Sequence, residues 1–459
     1  MTTLVDDRVA QHDDEPLAPT GGQTFRRRLA LVVAVGVAVR VAYIFIWRRD
    51  ATVWGDAYFY QYSANLIADG HGFINPIDFN VQHVANQAAD HPPLYLAYLA
   101  LWSFVGVTSP IGHMLASVLL GMLTIVLVGL AGKRIAGARV GLLAAGLAAL
   151  YPNVWSYDGF ILSETMAMLL VSAVILAAYR YRDAPTPRGA VLLGGLVGLA
   201  ALSRSELLLL SVLLVTPLVL GTGGGGWPER LRRVPRLVLA GAACLLVLAP
   251  WVAFNLSRFD QPVYLSAGFE ITLATSTCDA TYYGPTTGYW SIGCAVDQLN
   301  AVGLTNENSD QSQRSAAWRH QSEQYIRDHL SRLPVVLLAR WGRITGLYKP
   351  IQQAQLDVFP EGREPWVAYS ALGGFYLVAG FGIAGAVSLR RRRRLLYPLL
   401  APLGVVLFAV TVTFATTRYR ASAETALCLL AAVGIDALLR LHERLRDDPD
   451  DRVAPAMAP

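Results

Sequence analysis

The sequence predicts an all-α polytopic membrane protein: about ten spanning helices, a few juxtamembrane helices and two large loops on the outer side. Three observations predict it. Of 459 residues 54% are hydrophobic and only 15% charged, against roughly 25% charged in an ordinary soluble domain. The apolar residues gather in long runs, not in the short alternating segments of a soluble core. The basic residues, all arginine except Lys133 and Lys349, fall in short clusters between those runs, where a polytopic protein needs them to fix its orientation. The net charge of +5 therefore reflects topology, and no nucleic-acid partner is expected.

The runs lie at about 29–47, 110–131, 138–152, 160–180, 189–202, 206–221, 237–254, 367–388, 396–414 and 422–440. Because about 20 residues cross a hydrocarbon core, the shorter runs must recruit flanking residues or kink. The first run follows a polar segment and has no small-residue cleavage site after it, so it reads as a signal anchor. Two further apolar stretches, 94–107 and 334–348, decide the topology. Left out of the count, they put all the basic clusters on the cytoplasmic side; counted as spans, they put three clusters outside. They are read as juxtamembrane helices on the outer side.

The chain then divides into a disordered cytoplasmic tail (1–24), a transmembrane core (25–256) with a first outer loop at 48–109, a second outer loop with a juxtamembrane helix (257–366), C-terminal spans (367–440) and a second tail (441–459). The Gly-rich run 221–226 lacks the Lys and Ser or Thr of a phosphate loop and reads as a flexible linker. Cys278 and Cys294 fall in the second outer loop, whereas Cys244 and Cys428 lie within spans. A pair outside the cytoplasm oxidises, and closing a loop of this size contributes on the order of 3 kcal/mol. A Cys278–Cys294 disulfide is expected; a metal site there is not, because no Cys or His companion stands at ligand spacing.

Candidate chemistry concentrates at the start of the first outer loop. Asp56 stands between Trp54, Gly55 and the aromatics Tyr58, Phe59 and Tyr60. An interfacial carboxylate in aromatic surroundings suits a general base, since partial desolvation raises its pKa towards the working range. It equally suits a helix N-cap for 57–68. Asp158 and Glu164 occupy the next outer turn and read either as acceptor-orienting carboxylates or as parts of a capped helix start. A divalent cation held by Asp56 with a second carboxylate is the one cofactor considered. Arg40 lies mid-span and needs a partner facing the bundle interior.

The order of short motifs is informative. Arg40, then Asp56 with Tyr58 and Tyr60, the Gly-His-Gly-Phe turn at 70–73, His91-Pro-Pro-Leu-Tyr95, Ser163-Glu164, Ser203-Arg-Ser-Glu206 and Thr417-Arg-Tyr-Arg420 together resemble the GT-C glycosyltransferases. The resemblance is to bacterial relatives of protein O-mannosyltransferases and of the lipid A aminoarabinose transferase, the glycosyltransferase family 39 type. It implies transfer of a sugar from a polyprenyl-phosphate carrier to an acceptor hydroxyl of a cell-envelope glycan, lipid or protein, at the outer face of a bacterial plasma membrane. The loop Asp of that family is its catalytic base, a role that passes to Asp56. Many members carry a paired acidic motif in this loop where this chain has Gly55-Asp56, which weakens the case for a metal held there.

Such a reaction releases a phosphate, whose growing charge needs cationic donors already in place. Arginine suits this because its fork pairs with two phosphate oxygens. Arg204, Arg258, Arg418 and Arg420 are the donor-phosphate candidates, while Tyr58, Tyr60, His91, Asp158 and Glu164 are the substrate candidates. Each arginine could instead snorkel or pair with Glu164, Glu206 or Glu424. A lipid or sugar transporter would need mid-membrane ionisable residues and a repeat in two halves; Arg40 is one such residue, but the sequence shows no repeat. A surface-polysaccharide polymerase or ligase shares the spans and outer arginines, but would not call for an Asp-aromatic segment after the first span. The topology makes a direct prediction. A cysteine placed at Asn308 reacts with an impermeant thiol reagent in intact cells and one at Gly224 does not; reversed labelling rejects the orientation.

Overall fold

The computed structural model describes residues 21–222 and 224–447, and each of the ten predicted runs lies largely in helix. Six helices are long and apolar enough to cross a membrane: Gly22–Arg48, Pro110–Ala136, Glu164–Asp183, Trp227–Leu256, Pro365–Arg391 and Thr417–Arg446. The other runs form shorter apolar helices, Ala138–Leu150, Pro187–Ser203, Ser205–Gly221 and Tyr397–Val412, alongside Pro93–Phe104. Length by itself thus supports six crossings, and the count of ten rests on the four shorter helices. Among the described residues the β pairing is confined to one bridge, Ile74 to Gln87. The predicted tails lie largely outside the described residues. The first helix already begins at Gly21 and the last runs to Asp447, so the boundaries at 24 and 441 fall inside helices.

Local chemistry explains where the helices start and turn. Ser109 and Thr186 accept hydrogen bonds from the backbone NH groups of Gly112 and Gly189, each just ahead of a proline in the first turn, which is the preferred opening of a helix. Gly137, at φ 100°, is the single residue between Pro110–Ala136 and Ala138–Leu150, so the second helix must fold back along the first. The Ser205–Gly221 helix is irregular, 3-10 at Ser205–Leu209 and π at Ser211–Val215 before Pro217. That irregularity presents both polar and apolar side chains to one cavity.

Close contact between helices relies on small residues, as it does where lipid supplies no hydrophobic drive. A Cβ on Gly385 would sit 1.9 Å from the Leu430 carbonyl, and one on Gly434 would sit 2.0 Å from that of Phe381. Arg40 finds its partner deep in the bundle. Its Nε donates to Asp158 at 2.6 Å and its Nη atoms donate to the carbonyls of Gly36, Ala148 and Ala149. The pair fits only because position 121 is glycine, where a Cβ would lie 2.0 Å from the Asp158 carboxylate.

The second loop is a small helical layer in which Gly268–Ala274, Ile292–Asn300 and Gln311–Asp328 enclose Trp318. Cys278 and Cys294 are disulfide-bonded with Cα atoms 5.6 Å apart, as expected. The ambiguous stretch 334–348 is an amphipathic helix, Leu333–Ile344, whose Arg340 and Arg343 turn inward to backbone carbonyls. Replacing Gly434 with leucine should wedge the last helix away from Pro365–Arg391 and cost about 1–3 kcal/mol or more. Thermal unfolding in detergent measures this, and an unchanged Tm would contradict the packing.

Candidate active site

The two loops and the irregular helix meet around a cavity of about 840 Å³. One end is polar, lined by Asp56, Tyr60, His91, Ser163, Arg204, Glu206, Glu361 and Arg418. The other is an apolar arm in which Leu208, Leu209 and Val212 face Phe408, Ala409 and Val412. Val212 is 63% and Phe408 53% exposed, so this arm opens sideways, where a bilayer would lie. Phe269, Ile271 and Thr272 of the second loop close the cavity from above.

Asp56 reaches the polar end because the chain turns at Gly55, whose φ of 59° favours glycine. Gly55, not Asp56, occupies the N-cap position of the Asp56–Ala68 helix, and it makes no side-chain cap. The Asp56 carboxylate is thus free for the cavity. It lies 2.7 Å from Arg418 Nη1 and 3.5 Å from His91 Nε2. His91 stacks on the Tyr60 ring at 4.8 Å and precedes the helix that opens at Pro93. The electrostatics reverse the sequence expectation: burial pushes the Asp56 carboxyl upward, but Arg418 and then His91 outweigh it and hold it well below the ordinary carboxylate range.

Two arginines form the cationic floor. Arg204 bonds Glu164 at 2.5 Å and Glu206 at 2.6 Å. Arg418 bonds Glu164 through Nε and Asp56 through Nη1. Glu164 has no exposed surface and lies behind these guanidinium groups, so it aims them and does not itself line the cavity. Glu361, which the sequence analysis did not single out, lines the cavity with its Oε2 3.7 Å from Arg418 Nη1. A carboxylate between Pro360 and Gly362, just past an amphipathic segment, was the available signal.

Other candidates are drawn elsewhere. Arg420 is buried beneath the cavity wall, paired with Glu424 at 2.6 Å and lying over the Phe375 ring. Arg258 ties the first loop to the end of the Val234–Leu256 helix through the carbonyls of Phe73 and Ala88. Tyr58 accepts from Asn80 and packs on Tyr62, away from the cavity. Asp158 is committed to Arg40 and Thr165, so it cannot share a cation with Asp56. For Arg420 and Asp158 a nearer buried partner captures the charge, as desolvation demands. Among the described residues no group of three His, Cys, Asp or Glu side chains could hold a metal ion. With Asp56 and Glu164 already bonded to arginine, the donor set does not fit a divalent cation.

The fold has known counterparts. Residues 90–254, a little over a third of the chain, match the family model of dolichyl-phosphate-mannose-protein mannosyltransferases. An oligosaccharyltransferase from Archaeoglobus fulgidus, solved tethered to an acceptor peptide, superposes with a TM-score of 0.56 over 92% of this chain and 50% of its own, at 15% identity. The archaeal oligosaccharyltransferase AglB from the same organism, in complex with an inhibitory peptide and a dolichol-phosphate, gives 0.53 over 94% and 53%, also at 15% identity. The chain has the GT-C fold. It spans about half the length of these oligosaccharyltransferases. ArnT from Cupriavidus metallidurans bound to undecaprenyl phosphate aligns over 94% of this chain and 81% of its own at 16% identity, with a TM-score of 0.44. No curated protein matches the sequence. Asp56, Glu361 and Arg418 lie outside the matched family segment.

The geometry separates two neighbouring arginines. Arg418→Lys should weaken binding of a polyprenyl phosphate by about tenfold, near 1.4 kcal/mol, because the charge survives but the forked contact is lost. Arg420→Lys should leave that affinity unchanged and lower Tm; a loss of affinity there instead would return Arg420 to the site.

Proposed function

We propose that this chain is an inverting glycosyltransferase that moves a sugar from a polyprenyl-phosphate-linked donor to an acceptor hydroxyl. What supports this reading above all is the amphiphilic shape of one cavity. Its arginine-lined end suits a phosphate, and its laterally open apolar arm between Val212 and Phe408 suits an isoprenoid tail. A soluble nucleotide-sugar donor would leave that arm without a function. The active end faces the outer side of a bacterial plasma membrane, and the acceptor is a cell-envelope glycan, lipid or protein entering beneath the second loop.

In the reaction the acceptor oxygen attacks the anomeric carbon, the bond from that carbon to the phosphate oxygen breaks, and the hydroxyl proton passes to Asp56. Arg418 and Arg204 receive the charge that develops on the leaving phosphate; being held by Glu164, they need little reorganisation. The Arg418 contact that depresses Asp56 also links the two events. A donor phosphate that draws Arg418 towards itself returns proton affinity to Asp56, so the base is strengthened when the donor is in place. Tyr60 and His91 hold the acceptor side of the cavity.

Incubation of purified protein with a panel of polyprenyl-phosphate sugars, with release of carrier phosphate as the readout, tests the reading; no release from any donor would reject it. Asp56→Asn keeps the size of the side chain but cannot take the proton, so turnover should drop by roughly 10²- to 10⁴-fold with carrier binding retained. Near-normal turnover would remove Asp56 as the base.

A further inference from the structure

Asp56 is well placed to receive a proton but poorly suited to keep it. Arg418 and His91 hold its carboxylate in the ionised form. A second carboxylate stands beside it with no such commitment. Glu361 lines the same cavity, is 18% exposed, and among the described residues has only the long 3.7 Å contact to Arg418. The Asp56 and Glu361 oxygens approach the same nitrogen, Arg418 Nη1, at 2.7 and 3.7 Å, so they lie at most about 6.4 Å apart. One bridging hydroxyl or water spans such a gap.

The segment that carries Glu361 is fastened on both sides. Arg48 Nη1 donates to the Gly362 carbonyl and to Glu364, both at 3.1 Å. Arg363 donates to Asn153 at 3.1 Å and pairs with Asp357 at 3.7 Å. Gly362 adopts φ +70°, with Trp54 of the first loop against it. These contacts fix the segment around a glutamate whose own side chain makes only the 3.7 Å contact to Arg418, and so present that side chain to the cavity.

We propose that Glu361 is the final proton acceptor of this transfer, taking from Asp56 the proton that the acceptor hydroxyl gives up. The inference rests on the transferase reading above. The step balances: the acceptor O–H bond breaks, its oxygen bonds the anomeric carbon, the phosphate leaves with the electron pair of the broken glycosidic bond, and the proton rests on Glu361. The charged groups around Glu361 agree with this direction. Its carboxyl is raised to about 7: burial is the largest cause, Arg418 opposes it, and Asp357 on its own segment, Asp56 from the first loop and Glu164 from the Glu164–Asp183 helix add to the rise. Two neighbouring carboxylates whose surroundings drive their proton affinities apart are suited to pass a proton one way.

The test is the pH dependence of kcat/KM for sugar transfer by the full-length protein. Glu361 must be ionised to accept, so wild-type activity should rise with pH through about 7 and level off above it. Glu361→Gln should lower the plateau by at least about tenfold and abolish that rise, with Tm and polyprenyl-phosphate binding unchanged. If the rise persists in Glu361→Gln, or the plateau is unaffected, the proposal is overturned while the transferase reading stands. If Glu361→Gln does not fold, Glu361→Asp decides: a displaced rise supports the role and an unmoved one overturns it. Wild-type protein that transfers no sugar at any pH overturns the transferase reading and this proposal with it.

Discussion

One guanidinium group organises the candidate site. Arg418 touches Asp56, Glu164 and Glu361, carboxylates supplied by the first loop, a helix of the core and the end of the second loop. Three anions around one cation would repel one another if it were absent, and a buried cation without anions would be just as costly. The three segments therefore meet at a common charge. Glu164 takes the inner edge of the guanidinium and shares itself with Arg204, so the two arginines are braced from behind and present their free edges to the cavity. Such a centre is built to exchange partners: a phosphate can replace a carboxylate on Arg418 without leaving a naked charge.

The apolar arm follows from a different constraint. A helix that alternates between 3-10 and π geometry cannot pack along its full length against a regular neighbour, and the mismatch with Tyr397–Val412 leaves a lateral opening. In water such a groove would be an aggregation hazard. In a membrane it is solvated by hydrocarbon, and its polar neighbour at Arg204 gives the same cavity a charged end. The break occurs at Ser203-Arg-Ser-Glu206, so the residues that interrupt the helix also supply the charge.

Glycine at a few positions supports the rest. Gly121 admits the Arg40–Asp158 pair, and Gly385 with Gly434 brings Pro365–Arg391 against the last helix. The Arg40 pair also bears on the transporter alternative: an intramembrane arginine bonded to an aspartate and three carbonyls has its charge satisfied by structure alone.

The sequence by itself determined the helical membrane fold, the position of the apolar runs, the disulfide between Cys278 and Cys294, and the placement of Asp56, His91, Arg204 and Arg418 at one end of the molecule. These features follow from composition, from local spacing and from a shared side of the membrane, all of which a linear pattern records. Only the tertiary structure decided which of several similar arginines and carboxylates face the cavity. Arg418 and Arg420 are two residues apart, yet one reaches Asp56 and the other Glu424; Asp158 looked like a partner for Asp56 and is captured by Arg40. Glu361, far from Asp56 along the chain, meets it through Arg418. The physical reason is that a buried charge goes to whichever complementary group the packing brings nearest, and that choice is made by the fold and not by the neighbours in sequence.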